Sequence, residues 1–221
     1  MAARSKRNRH PTAATAPVAP APARTFPQLA AALLLAAGCF LAYLGAYRYP
    51  PVFDDRVLNP VEVPELTTFC LPPGTRCLSY TSFGLQYLLT GLDTLWLHLG
   101  NVACHALAVI ALFVLLRQLF TREPLTGNSV DQGRGQLLAW LGAAAFAIHP
   151  VAVYGVAYLI QRSIVLATFF SLVSLGCLVR ALDARQRQGL WLGLAMAAYL
   201  AAMLSKEHAV MLPAAGLALA V

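Results

Sequence analysis

Two adjacent carboxylates, Asp54 and Asp55, stand shortly after the first apolar segment and are the residues best suited to acid–base chemistry. A carboxylate at an apolar rim can act as a general base or ligate a divalent cation, with its pKa set by that rim and by its neighbour. Adjacent residues of an extended chain point in opposite directions, so at most one of the two can face a given substrate atom. A solvated acidic pair at the start of a loop is the alternative interpretation.

Basic residues lie at the ends of later apolar segments and in the loop after the acidic pair. Arg76, Arg162 and Lys206 together would suit an anionic ligand such as a lipid-linked phosphate, because arginine offers paired hydrogen bonds and lysine a point charge. Glu207 follows Lys206 directly. Each cation alone could simply extend to the membrane surface. Their coincidence with the acidic pair is what predicts a binding site.

A stripe of polar residues runs along the second apolar segment. His98, Asn101 and His105 are spaced three and four residues apart and therefore share one face of a helix. This face could line a substrate cavity, or it could join helices by hydrogen bonds, as polar residues in membrane helices often do. The two histidines would lie about 10 Å apart along the axis, which disfavours a shared metal. The sequence contains no metal cluster of recognisable spacing and predicts no cofactor; a divalent metal at the acidic pair stays open.

Two of the five cysteines, Cys70 and Cys77, bracket the turn-forming sequence LPPGTR. In an oxidising compartment this spacing permits a small disulfide. The other three cysteines lie inside apolar segments and are interpreted as small apolar residues.

The elements that must position these residues are membrane helices. Of the 221 residues 59% are hydrophobic and 11% are charged, against about one quarter charged in soluble domains. A bilayer needs about 20 apolar residues per helix, and five to six such segments are predicted. They run Gln28–Tyr47, Leu95–Leu116, two within Leu137–Val179 interrupted near His149 and Arg162, Leu190–Leu204, and a run from Ala209. The expected fold is an all-α polytopic bundle with one long outer loop, residues 48–94.

The distribution of Lys and Arg predicts the orientation of this bundle. Segments 1–24, 117–136 and 180–188 hold five, three and three of the sixteen basic residues, and such residues favour the cytoplasmic side. We therefore expect a cytoplasmic N-terminus, with the 48–94 loop and the turns near 149–162 and 205–208 on the outer face. No stacking platform accompanies the basic residues, so nucleic acid is not an expected partner.

The domain organisation predicted is a basic, Ala/Pro-rich tail over residues 1–26 and a transmembrane domain over 27–221. The first apolar run is longer than a cleavable signal requires, which favours an uncleaved anchor. The last run has thirteen apolar residues from Ala209 to Val221, too few to cross a bilayer, so we expect the domain to be incomplete at its C-terminus.

Four blocks read in order resemble the N-terminal half of polytopic GT-C type glycosyltransferases. They are FDD, HLGNVACHALAVIALF, AFAIHPVAVYGVAYLIQRSIVLATFFSLVSL and LSKEHAVMLP, between Phe53 and Pro213. The group they resemble is that of membrane O-mannosyltransferase-like proteins with tetratricopeptide repeats, including bacterial relatives. No 34-residue repeat is present in this chain.

The resemblance implies transfer of a sugar from a polyprenyl-phosphate donor to a protein or glycan acceptor, and for a bacterial relative it implies the inner membrane. Asp54 or Asp55 would be the acceptor's base, and His149, Arg162 and Lys206 would surround the donor phosphate. Tyr154 departs from the pattern, since many relatives carry a glutamate there.

Two other classes remain open from the sequence. A non-enzymatic subunit would use the helices as a scaffold for other membrane proteins. A transporter would line a pathway with polar residues near the midplane, whereas here the charges concentrate on one face.

Overall fold

The computed structural model describes residues 27–68, 74–121, 132–184 and 186–220. The basic tail, Cys70 and Val221 lie outside these residues. Within them the chain forms α-helices and short 3₁₀ turns with no strand, so the predicted all-α class is confirmed. The α-helices are α1 Gln28–Ala42, α2 Cys77–Thr90, α3 Thr94–Phe120, α4 Gln132–Ala147, α5 Ala152–Val156, α6 Arg162–Asp183, α7 Gln188–Ser205 and α8 Leu212–Ala220.

Among the described residues three helical segments are long and apolar enough to cross a membrane: α3, α6 with its preceding turn (Leu159–Asp183), and α7. Helices α1 and α4 have 15 and 16 residues, which gives them lengths of about 22–24 Å. The structure is therefore that of a helical membrane bundle, and the number of crossings beyond three stays a prediction.

Helix α3 is the centre of the bundle and packs against α1, α4 and α6. Its residues Val102, Val109 and Phe113 are buried in one cluster with Leu35 of α1 and Ala143 of α4. Small side chains on α1 and α4 let these helices approach α3 closely, which is how helices associate where lipid supplies no hydrophobic driving force. The core therefore lies around the helix that carries the polar stripe.

The loop after α1 folds into 3₁₀ turns at Phe53–Val57 and Val63–Thr68, followed by α2. Helix α2 packs on the second turn through Gly84, where an added Cβ would lie 2.5 Å from the backbone nitrogen of Thr67. Cys77 at the start of α2 is disulfide-bonded; Cys70, its predicted partner, lies outside the described residues.

The connections predicted on one face meet at one end of the bundle, which we call the loop end. There the loop after α1 contacts the connection between α5 and α6, and α2 contacts the segment after α7. Lys206, the residue after α7, reaches the same α5–α6 connection. The loop end is thus where the predicted charged residues come together.

Candidate functional site

A polar cleft of about 210 Å³ opens at the loop end. It is bounded by the first 3₁₀ turn, by α2 and by the start of α6. Its lining residues are Asp54, Val57, Arg76, Ser79, Tyr80, Ile160, Gln161 and Ser163. One carboxylate and one guanidinium therefore share this cleft, surrounded by hydroxyl and amide groups.

Asp55 is the buried member of the acidic pair. Its side chain is only 2% exposed, and its two carboxylate oxygens accept hydrogen bonds from the backbone N–H groups of Val52, at 3.1 Å, and Ile160, at 2.8 Å. A carboxylate held by backbone donors in this way joins the first turn to the start of the α6 segment. Both of its oxygens are thus engaged within the fold.

Asp54 is exposed and lines the cleft. Its backbone N–H donates to the hydroxyl oxygen of Tyr158 at 3.1 Å. The two neighbouring carboxylates therefore face different environments, and Asp54 is the one that a ligand in the cleft can reach.

Arg76 enters the cleft from the N-cap position of α2, with its backbone in the left-handed region at φ 62°. Its Nε donates to Glu207 Oε1 at 3.0 Å, and both side chains are about half exposed. The hydrogen bond with Glu207 raises the pKa of Arg76, while the pKa of Glu207 is lowered by its own backbone N–H and then by Arg76.

Lys206 contacts the cleft through an intermediary. Its Nζ donates to Gln161 Oε1 at 2.9 Å, and Gln161 Nε2 donates to the hydroxyl of Tyr154 at 3.1 Å. Burial, followed by the positive charge of Arg76, lowers the pKa of Lys206. Arg76 lines the cleft together with Asp54, and Lys206 binds a third lining residue, Gln161, so two positive charges lie in or next to the cleft.

Arg162 points inward rather than into the cleft and is 2% exposed. Its Nε donates to Asn101 Oδ1 at 2.7 Å, and its Nη2 donates to Gln86 Oε1 at 2.7 Å and to the carbonyl of Leu97 at 3.1 Å. Its guanidinium also stacks 3.7 Å from the ring centroid of Phe83. These contacts join α2, α3 and α6. Arg162 therefore holds together α2 and the start of α6, which line the cleft.

The polar stripe of α3 binds carbonyl groups of other segments. His98 Nε2 lies 3.2 Å from the carbonyl oxygen of Tyr49, and His105 Nε2 lies 3.1 Å from that of Ala147. Asn101 Nδ2 donates to the carbonyls of Val156 and Leu159. Carbonyls at helix ends lack intrahelical donors, and this stripe supplies them. Of the two interpretations of the stripe, the contacts favour hydrogen bonding between segments.

His105 and His149 line a second, mostly apolar cavity of about 480 Å³ between α3, α5 and α6. His149 Nδ1 accepts the backbone N–H of Val151 at 3.2 Å. The predicted site residues thus divide into three groups: Asp54, Arg76, Lys206 and Glu207 at the cleft, His105 and His149 at the apolar cavity, and Asp55 and Arg162 inside the fold.

Two residues at the site were not among the candidates predicted from the sequence: Gln161, which lines the cleft, and Tyr158, whose hydroxyl binds the backbone of Asp54. Gln161 precedes Arg162 directly, and Tyr158 precedes the 3₁₀ turn Leu159–Gln161. Proximity to Arg162 in the sequence was therefore the available signal. Metal ligation has less support: among the described residues no group of three His, Cys, Asp or Glu side chains could hold an ion.

The fold and the cleft define a helical membrane protein that presents acidic and basic side chains together at one end. Protein O-mannosyl-transferase TMTC1 of the mouse (Mus musculus) is 33% identical to this chain over 108 residues. The matched part is 49% of this chain, and the chain spans about a tenth (10%) of the mouse protein. No family model and no solved structure matches the sequence. The similarity is thus to a protein whose name describes an O-mannosyltransferase, and it covers about half of this chain.

Proposed function

We propose that this chain carries the reaction end of a membrane glycosyltransferase of the GT-C type, which transfers a sugar from a polyprenyl-phosphate donor to a protein or glycan acceptor. The similarity to a mouse O-mannosyltransferase supports the reaction class. The observation that carries the proposal is the cleft itself, in which Asp54 is exposed beside Arg76. We further propose that this end faces away from the cytoplasm, in the inner membrane of a bacterium.

The proposed step needs one base and one stabilised leaving group. Asp54 accepts the proton of the acceptor hydroxyl while the oxygen of that hydroxyl bonds to the anomeric carbon of the sugar. The bond from that carbon to the phosphate oxygen breaks, and its electron pair leaves with the polyprenyl phosphate. Arg76 and Lys206 stabilise the negative charge left on this phosphate.

The remaining candidates take supporting roles in this proposal. Arg162, whose donors are used within the fold, holds the cleft wall rather than the phosphate. His149 and His105 lie at the apolar cavity, where they would contact the lipid portion of the donor. Glu207 orients Arg76 through their ion pair.

A scaffold subunit is the second candidate, and one observation favours it. Asp55, Arg162 and Lys206, which stand in the most distinctive sequence blocks, are all engaged in contacts within the chain. Such residues would be required for folding alone. This candidate predicts association with other membrane proteins and no sugar transfer.

Transfer of labelled sugar from a polyprenyl-phosphate donor decides between the two. Membranes carrying the complete protein would be compared with those carrying Asp54→Asn, and with Glu62→Gln as a matched control. Glu62 is an exposed acid of the same loop, and its carboxylate accepts a local hydrogen bond from the Asn59 side chain. Loss of a general base predicts a transfer rate at least about 100-fold lower for Asp54→Asn. The transfer rate of Glu62→Gln is expected to be unchanged.

The outcomes separate the candidates clearly. Equal transfer by Asp54→Asn and Glu62→Gln at equal expression would exclude Asp54 as the base. No transfer by the unaltered protein would leave the scaffold as the better interpretation. Repeating the assay with EDTA tests the divalent metal, because a metal-dependent reaction stops when the ion is removed.

A further inference from the structure

Tyr158 makes a long-range contact with the backbone of the candidate base. It lies in the connection between α5 and α6, and its hydroxyl oxygen accepts the backbone N–H of Asp54, 104 residues away, at 3.1 Å. Sequence position alone gives no reason for these two residues to meet. The contact fixes the backbone of Asp54, a residue that lines the cleft.

The residue before Asp54 has an unusual backbone. Phe53 lies in the left-handed region at φ 48° although its side chain is bulky and 81% exposed. Such a conformation persists only where surrounding contacts impose it. Here the ring of Phe53 packs edge-on against Tyr158, with 6.4 Å between the centroids. On the other side the Asp55 carboxylate binds the N–H groups of Val52 and Ile160.

The hydroxyl group of Tyr158 still has its own proton to donate. Because the oxygen already accepts the N–H of Asp54, the O–H is directed to another acceptor, and the Asp54 carboxylate interacts with this hydroxyl group. Burial first, and then the charges of Asp54 and Asp55, raise the pKa of Tyr158. The phenol therefore stays neutral at physiological pH and remains a donor.

The other charged groups around Asp54 come from several elements. Asp55 lies on the same turn as Asp54, and Arg76 and Tyr80 line the cleft from α2. Lys206 is linked to the cleft by its hydrogen bond to Gln161, and Glu207 by its ion pair with Arg76. None of these is changed when only the hydroxyl of Tyr158 is removed. The hydroxyl can therefore be tested separately from the general electrostatics of the cleft.

We propose that Tyr158 is a positioning residue for Asp54, which it holds at the cleft by accepting the backbone N–H and orients as a base by donating to the carboxylate. This inference rests on the proposed function for the role of Asp54. Tyr158 does not touch the reacting atoms; it sets the direction and the basicity of the group that does.

The test is Tyr158→Phe, which keeps the ring packed against Phe53 and removes only the hydroxyl. A hydrogen bond donated to a carboxylate stabilises its charged form, and this substitution removes the donor. We expect the acid limb of the pH–rate profile for sugar transfer to shift upward by about 0.5–1 pH unit. We also expect kcat to fall about tenfold with the KM for the donor unchanged. Tyr47→Phe is the matched control, since that hydroxyl donates to the Phe40 carbonyl away from the cleft.

A second measurement separates this inference from the proposed function. Infrared spectroscopy of protein with isotope-labelled aspartate, with Asp54→Asn subtracted, gives the carboxylate stretching band of Asp54 without any substrate. A shift of this band in Tyr158→Phe but not in Tyr47→Phe supports the positioning role even if no transfer is found; an unchanged band overturns it. If Tyr158→Phe fails to fold, a fluorinated tyrosine at this position, a stronger O–H donor, must also shift this band, and no change would overturn the inference.

Discussion

At the scale of single residues, the acidic pair shows how neighbours can have separate tasks. Asp54 is exposed in the cleft, whereas Asp55 is buried with both oxygens bound to backbone N–H groups. The sequence indicated that only one of them could face a given atom, but not which one. That choice depends on the 3₁₀ turn at Phe53–Val57 and on Ile160, which is brought close only by the folding of later helices.

Asp55→Asn is expected to destabilise the protein far more than Asp54→Asn. The amide places an N–H₂ group against one of two backbone donors, so a buried N–H loses its acceptor. The expected loss in the free energy of unfolding is about 1–3 kcal/mol, against a change within about 0.5 kcal/mol for the exposed Asp54. Thermal unfolding of the purified protein in detergent measures both. Equal melting temperatures for the two variants would contradict a stabilising role for the two hydrogen bonds of Asp55.

Arg162 shows the limit of prediction from residue type. The sequence placed a cation at the end of a segment, where extension to the surface or to an anion was expected. The structure instead buries it against Asn101, Gln86 and the ring of Phe83. Gly100 permits this, because an added Cβ would lie 2.9 Å from the Arg162 Nη2 atom. Depth within a bundle is set by three helices at once and cannot be read from one segment.

At the scale of elements, hydrophobic runs were sufficient to predict the long helices. Helices α3 and α7 lie close to the predicted Leu95–Leu116 and Leu190–Leu204, because long apolar segments allow few other structures. The 3₁₀ turns were not predicted, since they satisfy the backbone locally without a periodic pattern. Helix α2 lies within the predicted outer loop and exposes Leu89 by 84%.

Gly84→Ala tests how α2 is held by the loop before it. The added Cβ would lie 2.5 Å from the Thr67 nitrogen and 2.8 Å from the Leu66 carbonyl carbon, and backbone cannot yield as a side chain can. The expected cost is about 1–3 kcal/mol of unfolding free energy. Hydrogen exchange should also become faster over residues 63–68.

Gly38→Ala is the matched control for this change. Gly38 lies inside α1 and nothing is within 4 Å of an added Cβ. Alanine there should stabilise the helix by about 0.5–1 kcal/mol. Equal effects of the two substitutions on stability would contradict the close packing of α2 on Val63–Thr68.

At the scale of the whole molecule, the loop end is assembled from segments far apart in sequence. The alternation of apolar runs predicted that these connections share one face, but not which side chains pair across it. Pairing depends on the rotation of each helix about its axis, and hence on packing around α3. Arg76 and Glu207, 131 residues apart, form such a pair between α2 and the segment after α7.

This ion pair should therefore contribute a small, salt-sensitive stabilisation that depends on pH. A double-mutant cycle with Arg76→Gln and Glu207→Gln should give a coupling energy of about 0.2–1 kcal/mol at low salt, since both groups are half exposed, and less at high salt. Because the folded pKa of Glu207 is lowered, its contribution is fully present above the ordinary glutamate pKa of about 4.3. The contribution is lost as the pH falls through the lower folded value, where the carboxylate protonates, whereas Arg76 stays charged throughout. Thermal unfolding of the four proteins at low and high salt, and over a series of decreasing pH values from pH 7, would measure this coupling. A coupling that ignores salt and does not decline as the pH falls would mean that the link between α2 and the end of α7 is not electrostatic.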